Sequence, residues 1–256
     1  MNHLVPAYLP PFVLVGTVGT IAALLFGLHR ALRRTPWPAR DRRRAFWSIT
    51  AILVAWSIAA FMPVRAGFYQ GTPARIPTIP FGLLIPISAG LALFWCWPLL
   101  RRIIGAIPQE WIVSVQAYRA LGFIFLVLYA SGRLPREFAW PAGAGDALVG
   151  LLAPFVGLAY ARGSRGSANF VRAWNLFGLA DLVVAVTTGF LSSPSQFQTL
   201  ALDRPNELIG AFPLAMIPVF LVPLSVLLHL ASLEKLSAKE SGPINAVRSV
   251  PVNAVD

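Results

Sequence analysis

Seven long apolar stretches fill this chain, and only three of them carry a charge away from their ends. The stretches are Pro11–Leu32, Ala45–Val64, Ile79–Leu99, Trp111–Ser131, Pro141–Ala161, Phe170–Leu191 and Ile209–Ala231, and the three charges are Arg119, Asp146 and Asp181. A helix rises about 1.5 Å per residue and the hydrocarbon layer is about 30 Å thick, so each stretch has the length of one span. Strands of a membrane barrel would alternate polar and apolar residues over about ten positions. These runs are apolar on every side, which predicts an all-α, polytopic fold of seven transmembrane helices. Composition agrees. Charged residues make up 12% of the 256 and mean hydropathy is +0.68, against roughly 25% charged residues in a water-soluble domain.

The positive charge predicts an orientation, because short cytoplasmic loops are enriched in Lys and Arg. Of the 21 basic residues, seven follow the first span (Arg30, Arg33, Arg34, Arg40, Arg42, Arg43, Arg44). Arg101, Arg102, Arg162, Arg165, Arg172, Lys235, Lys239 and Arg248 fall on the same side, whereas Arg65, Arg75, Arg133, Arg136 and Arg204 fall on the other. The expectation is an N-terminus outside, a C-terminus in the cytoplasm, and anionic lipid headgroups against the basic loop Arg30–Arg44. The run is too short and too plain for a nucleic-acid module, so no nucleic acid is expected despite a net charge of +11. Aromatic residues suited to interfacial depths lie near one set of helix ends (Trp47, Trp95, Trp97, Trp111, Trp174) and the other (Tyr69, Tyr129, Trp140).

Residues 1–231 read as one membrane domain and residues 232–256 as a short polar tail, expected to be disordered beyond a turn or two of helix. The first span is not a cleavable signal, since no basic segment precedes it and arginines follow it directly. The loop Arg65–Thr78, rich in Gly and Pro, is expected to lie along the membrane surface. Cys96, the single cysteine, reads as a small apolar filler. Pro213, Pro218 and Pro223 predict a bent or broken last span. No internal repeat is evident, and Pro108-Gln109 lacks the counterpart that a sugar-transporter signature would need.

Ions in the hydrocarbon layer are costly and face the bundle interior in pairs. Arg119 is expected to meet Asp146, Asp181 or both, with Gln116 and Asn175 as polar company. Two carboxylates against one guanidinium leave one negative charge for a proton or cation to balance. That imbalance suggests movement of a small solute or ion coupled to a proton or cation. The alternative is an intramembrane aspartyl-type hydrolase, because Gly143-Ala144-Gly145-Asp146 fits a GxGD pattern and Asp181 could complete a dyad. Against it, the second aspartate would come from the wrong helix. A third reading is a non-catalytic sensor or assembly partner with a structural cluster.

A retinal pigment is excluded, since no lysine lies in the last span. His3, His29 and His229 fall at helix ends and on both faces, so no metal or haem site is expected, and no cofactor. The stretch Gln116–Ala231, with its GAGD, WNLFGLAD and proline-rich last helix, resembles a family of bacterial seven-helix inner-membrane proteins with no assigned activity. The resemblance implies a multi-pass protein of a bacterial cytoplasmic membrane and nothing about mechanism.

Overall fold

The computed structural model describes residues 5–74 and 76–248, with side chains described as far as Lys239. His3, Arg75, the side chain of Arg248 and residues 249–256, which entered the reading above, lie outside the described residues. Seven helical segments are long and apolar enough to cross a membrane, and no strand occurs among the described residues. The first three are α1 (Leu9–Arg33), α2 (Ala39–Arg65) and α3 (Ile79–Cys96). A short amphipathic helix, α4 (Pro98–Ala106), follows a break at Trp97, whose extended backbone and the proline after it end α3. The third span is therefore shorter than the sequence suggested.

The fourth span is composite. It starts as α5 (Gln109–Ser114), tightens into a 3₁₀ segment (Val115–Phe123) and resumes as α6 (Ile124–Ala130). Runs of 3₁₀ helix beyond three or four residues are uncommon and mark strained or functional places; this one carries Arg119. Next come α7 (Arg136–Ala161) and α8 (Ser167–Ser192). The last span begins as a π-helical turn (Ile217–Leu221) and continues as α9 (Val222–Arg248). Its start lies eight residues later than the prolines and hydropathy suggested. Pro213 precedes the helix and Pro218 sits in its first turn, where a missing N–H leaves no bond unmade, whereas Pro223 follows the π-helical turn and removes a donor from the helix proper. The prolines thus delay this span and leave its first turns irregular. The segment after Ala231 is helical through Arg248, well beyond a turn or two.

The tightest pairing joins α7 to the fourth span, and its cause is a row of glycines at seven-residue spacing. Gly143 receives Leu126, Gly150 lies against the backbone of Ala120, and Gly157 lies against Ser114 and the carbonyl of Glu110. Helices lack a hydrophobic drive toward one another in lipid, so close backbone approach of this kind is what binds them. By contrast α3 leans on the last span through Gly82, against Val219 and Tyr69, and Gly90, against Leu227; of its residues only Leu83 is buried.

The basic helix ends converge. Leu28, Leu32, Ala45 and Ile103 form one apolar cluster, Arg34 lies 4.8 Å over the Trp111 ring, and Arg102 lies 4.7 Å over Trp37. Lys235 donates to the carbonyls of Ile104 (3.2 Å), Gly105 (2.7 Å) and Ile107, capping the end of α4. Lys235→Met is expected to lower thermal stability by about 1 kcal/mol, because the carbonyls of a helix C-terminus lose a cation; a melting curve of the variant in detergent checks it.

At the other end, the loop after α2 touches the loop after α8. Tyr69 is buried, Gly71 abuts the Pro194 carbonyl, and Asn206 N–H donates to Ser192 O at 2.8 Å. Two aromatic and cysteine expectations also change. Trp174 does not face outward: it is buried and donates from its indole N–H to Val149 O at 3.2 Å. Cys96 faces outward instead of filling a gap.

Candidate functional site: a buried arginine between two aspartates

The guanidinium of Arg119 stands where the fourth span, α7, α8 and α9 meet. Its Nε donates to Asp146 Oδ1 at 2.8 Å, and its Nη2 lies 2.8 Å from the same oxygen and 2.5 Å from Asp181 Oδ2. Nη1 donates to Gly178 O at 3.1 Å and faces His229 Nε2 at 2.9 Å. The side chain of Arg119 is 1% exposed. Such complete enclosure is tolerable only because every face of the guanidinium has an acceptor.

Glycines make room for each carboxylate. A Cβ on Gly122 would collide with Asp146, and one on Gly145 would collide with the carboxyl of Asp181. The GAGD sequence is thus a pair of notches, Gly143 for Leu126 and Gly145 for Asp181. The two carboxylates meet through a guanidinium and not through a shared proton, which is the opposite of an acid dyad.

In the sequence His229 falls at a helix end and is expected to ligate nothing. The delayed start of the last span puts it near the middle of that span, fully buried, with its ring 5.0 Å from that of Trp174. Because an arginine can only donate, His229 Nε2 must accept, so the proton of the neutral ring is on Nδ1. That proton points to Asn175 Oδ1 at 2.9 Å. The Asn175 amide in turn donates to Ser232 Oγ at 2.9 Å and to Val171 O at 2.8 Å. Gln109 Nε2 reaches Ser232 Oγ from the other side at 2.7 Å. Asn175 therefore joins the cluster through a histidine, not directly.

Gln116 joins nothing. It is fully buried, yet neither atom of its amide has a hydrogen-bond partner among the described residues. A buried amide left unpaired costs about 1–3 kcal/mol. Gln116→Met, of similar size, is accordingly expected to raise stability by roughly that amount, read as an upward shift in melting temperature. A fall in melting temperature would mean that the amide has a partner in the membrane.

Asp146 also borders open space. A cavity of about 290 Å³ lies between α3, α7, α8 and the start of the last span, walled by residues such as Leu83, Phe125, Phe138, Ala142, Ala185 and Pro218. Asp146 is the single ionisable residue on its wall. A second void of about 30 Å³, room for about one water molecule, touches both Arg119 and Asp146 beside Tyr118. No hydrogen bond among the described residues reaches the second oxygen of Asp146. No group of three or more metal-ligating side chains comes together among the described residues.

Residues 76–237 match a family described as a domain of unknown function, DUF8737. The chain belongs to this family. The DUF8737 region opens just before α3 and closes within α9, so it holds five of the seven spans and every residue of the cluster, while α1 and α2 lie outside it. No curated protein matches the chain, and no solved structure does.

Proposed function

We propose that this integral membrane protein moves a small solute or ion coupled to a proton or cation, with the Arg119–Asp146–Asp181 cluster as its coupling centre. The observation that carries the reading is the position of Asp146. One of its oxygens is held by Arg119, while the side chain faces a cavity large enough for a small molecule. With His229 neutral, the cluster sums to one negative charge when both carboxylates are ionised. A proton or cation at Asp146 balances it, and its arrival and departure would change what the cavity holds. Gly122, the long 3₁₀ segment and the π-helical turn border the same centre, and such irregular helix is where membrane transporters place their sites. The exposed arginines of the loop Arg30–Arg44 suit anionic headgroups and a cytoplasmic face at the basic end, in a bacterial inner membrane.

The test is proton movement in proteoliposomes holding a pH-sensitive dye, challenged with a panel of amines, amino acids, sugars and organic cations. At least one solute is expected to drive proton flux through the wild type, and Asp146→Asn is expected to reduce that flux to the level of empty liposomes. Absence of flux with every solute, or equal flux through Asp146→Asn, overturns the reading.

A further inference from the structure

The walls and the mouth of the cavity say more than its floor does. We infer that its occupant is a single-chain cationic amphiphile, an alkylammonium in chemical class, which enters sideways from the lipid between α3 and α8. The inference rests on the reading of the Asp146 cluster as the solute-binding centre.

Three observations converge. First, the lining is hydrocarbon: isoleucine, leucine, valine, phenylalanine and proline side chains surround the space, with Asp146 at its deep end. A hydrophilic solute would lose its hydration there without replacement, whereas an alkyl chain gains by being enclosed. Second, charge is complementary. Asp146, the one carboxylate on the wall, belongs to a cluster one negative charge in excess, and an ammonium supplies both the balancing charge and hydrogen-bond donors. Third, the mouth lies within the hydrocarbon layer. The lining residues Leu84 and Thr187 are exposed, on α3 and α8 respectively. Thr187 lies about 9 Å along α8 from Asp181, inside the half-thickness of about 15 Å. A side opening at that depth faces lipid chains, while the wall runs on to Pro77, Ser193 and Ile209 at the helix ends. The reason it exists is the loose seating of α3, which meets α8 where Leu83 packs on Leu182 and otherwise leans on the last span.

Size narrows the class. About 290 Å³ corresponds to about ten groups of the volume of a water molecule. That is one short chain with a small head and too little for a two-chain phospholipid.

The experiment uses the full chain in phosphatidylcholine nanodiscs and a decylammonium probe with a photoreactive diazirine at its tail. Crosslinks are expected on Phe138, Ala142, Ala185 or their neighbours. Unlabelled decylammonium should compete them away, whereas decanol and decyl sulfate at equal membrane concentration should not. Asp146→Asn should abolish the preference for ammonium over alcohol. Thr187→Trp, a change at the exposed mouth that leaves the core untouched, should abolish labelling with the melting temperature unchanged.

Equal competition by all three chains, meaning an apolar tail alone is held, overturns the inference. So does labelling competed by a two-chain aminophospholipid and not by decylammonium, or labelling unaffected by Thr187→Trp. The two readings fail separately. If decylammonium binds in this way and is not moved in proteoliposomes, the ligand class stands and solute movement falls. If hydrophilic solutes drive proton flux without displacing the probe, solute movement stands and the ligand class falls.

Discussion

Arg119→Ala is expected to destabilise the protein by about 3–5 kcal/mol, the usual consequence of removing one partner from a buried ion cluster. The carboxylates of Asp146 and Asp181, whose side chains are 9% and 7% exposed, would face each other with no cation between them. The Gly178 carbonyl and His229 Nε2 would lose their donor as well. Arg119→Lys should recover only part of the loss, because one ammonium cannot serve acceptors that a planar fork reaches in several directions at once. The triple change Arg119→Ala, Asp146→Asn, Asp181→Asn should recover most of it, since no uncompensated charge remains. Melting temperature and folded yield in a mild detergent read all three. A single variant as stable as wild type would show that the cluster contributes nothing to holding the four elements together.

The second large effect is expected at Gly150. Its α-carbon lies so close to the amide of Ala120 that even a methyl group has no space, and the obstacle is the backbone of Arg119 and Ala120. Gly150→Ala should cost about 1–3 kcal/mol, as overpacking does where neighbours cannot rotate away. Gly150→Leu should prevent the fourth span from docking on α7. Because Ala120 follows Arg119 directly, the smaller change also shifts the guanidinium relative to Asp146. The predicted signature is therefore loss of stability together with loss of any solute-driven proton flux. Gly105→Ala, where open space surrounds the added carbon, should do neither.

The helical membrane architecture and the meeting of Arg119 with both aspartates were legible in the sequence for one reason: water is absent where they sit. A lone arginine and two aspartates amid apolar spans have no acceptable neighbours except each other. What hydropathy does not encode is the point at which a helix begins. The apolar run from Ile209 continues through Leu214 and Ala215, so the run looks like a span, yet Pro213 keeps that part from being helical. Shifting the start to Ile217 moved His229 from a helix end to the middle of the bundle.

A signal was available. Ser225, His229 and Ser232 follow one another by four and three residues in an otherwise apolar segment, which places all three on one helix face. Each is buried, against Tyr118, Arg119 and Gln109 respectively. Gln116 gave the opposite lesson. Its spacing of three from Arg119 puts both on one face, and more closely still in the 3₁₀ segment the chain forms there, yet its amide makes no hydrogen bond to the cluster.

The polar chain from Arg119 through His229, Asn175 and Ser232 to Gln109 looks like a conduit, and its donor directions make it the reverse. A proton moves along a row of groups only when each gives forward what it takes from behind. Here Asn175 donates to Ser232 from one side and Gln109 donates to it from the other, so the two halves run head-on into a single hydroxyl. Along this route the cluster is insulated from the basic end of the bundle. The approaches to Asp146 that remain are the cavity and the small void beside Tyr118, and neither runs along this polar row.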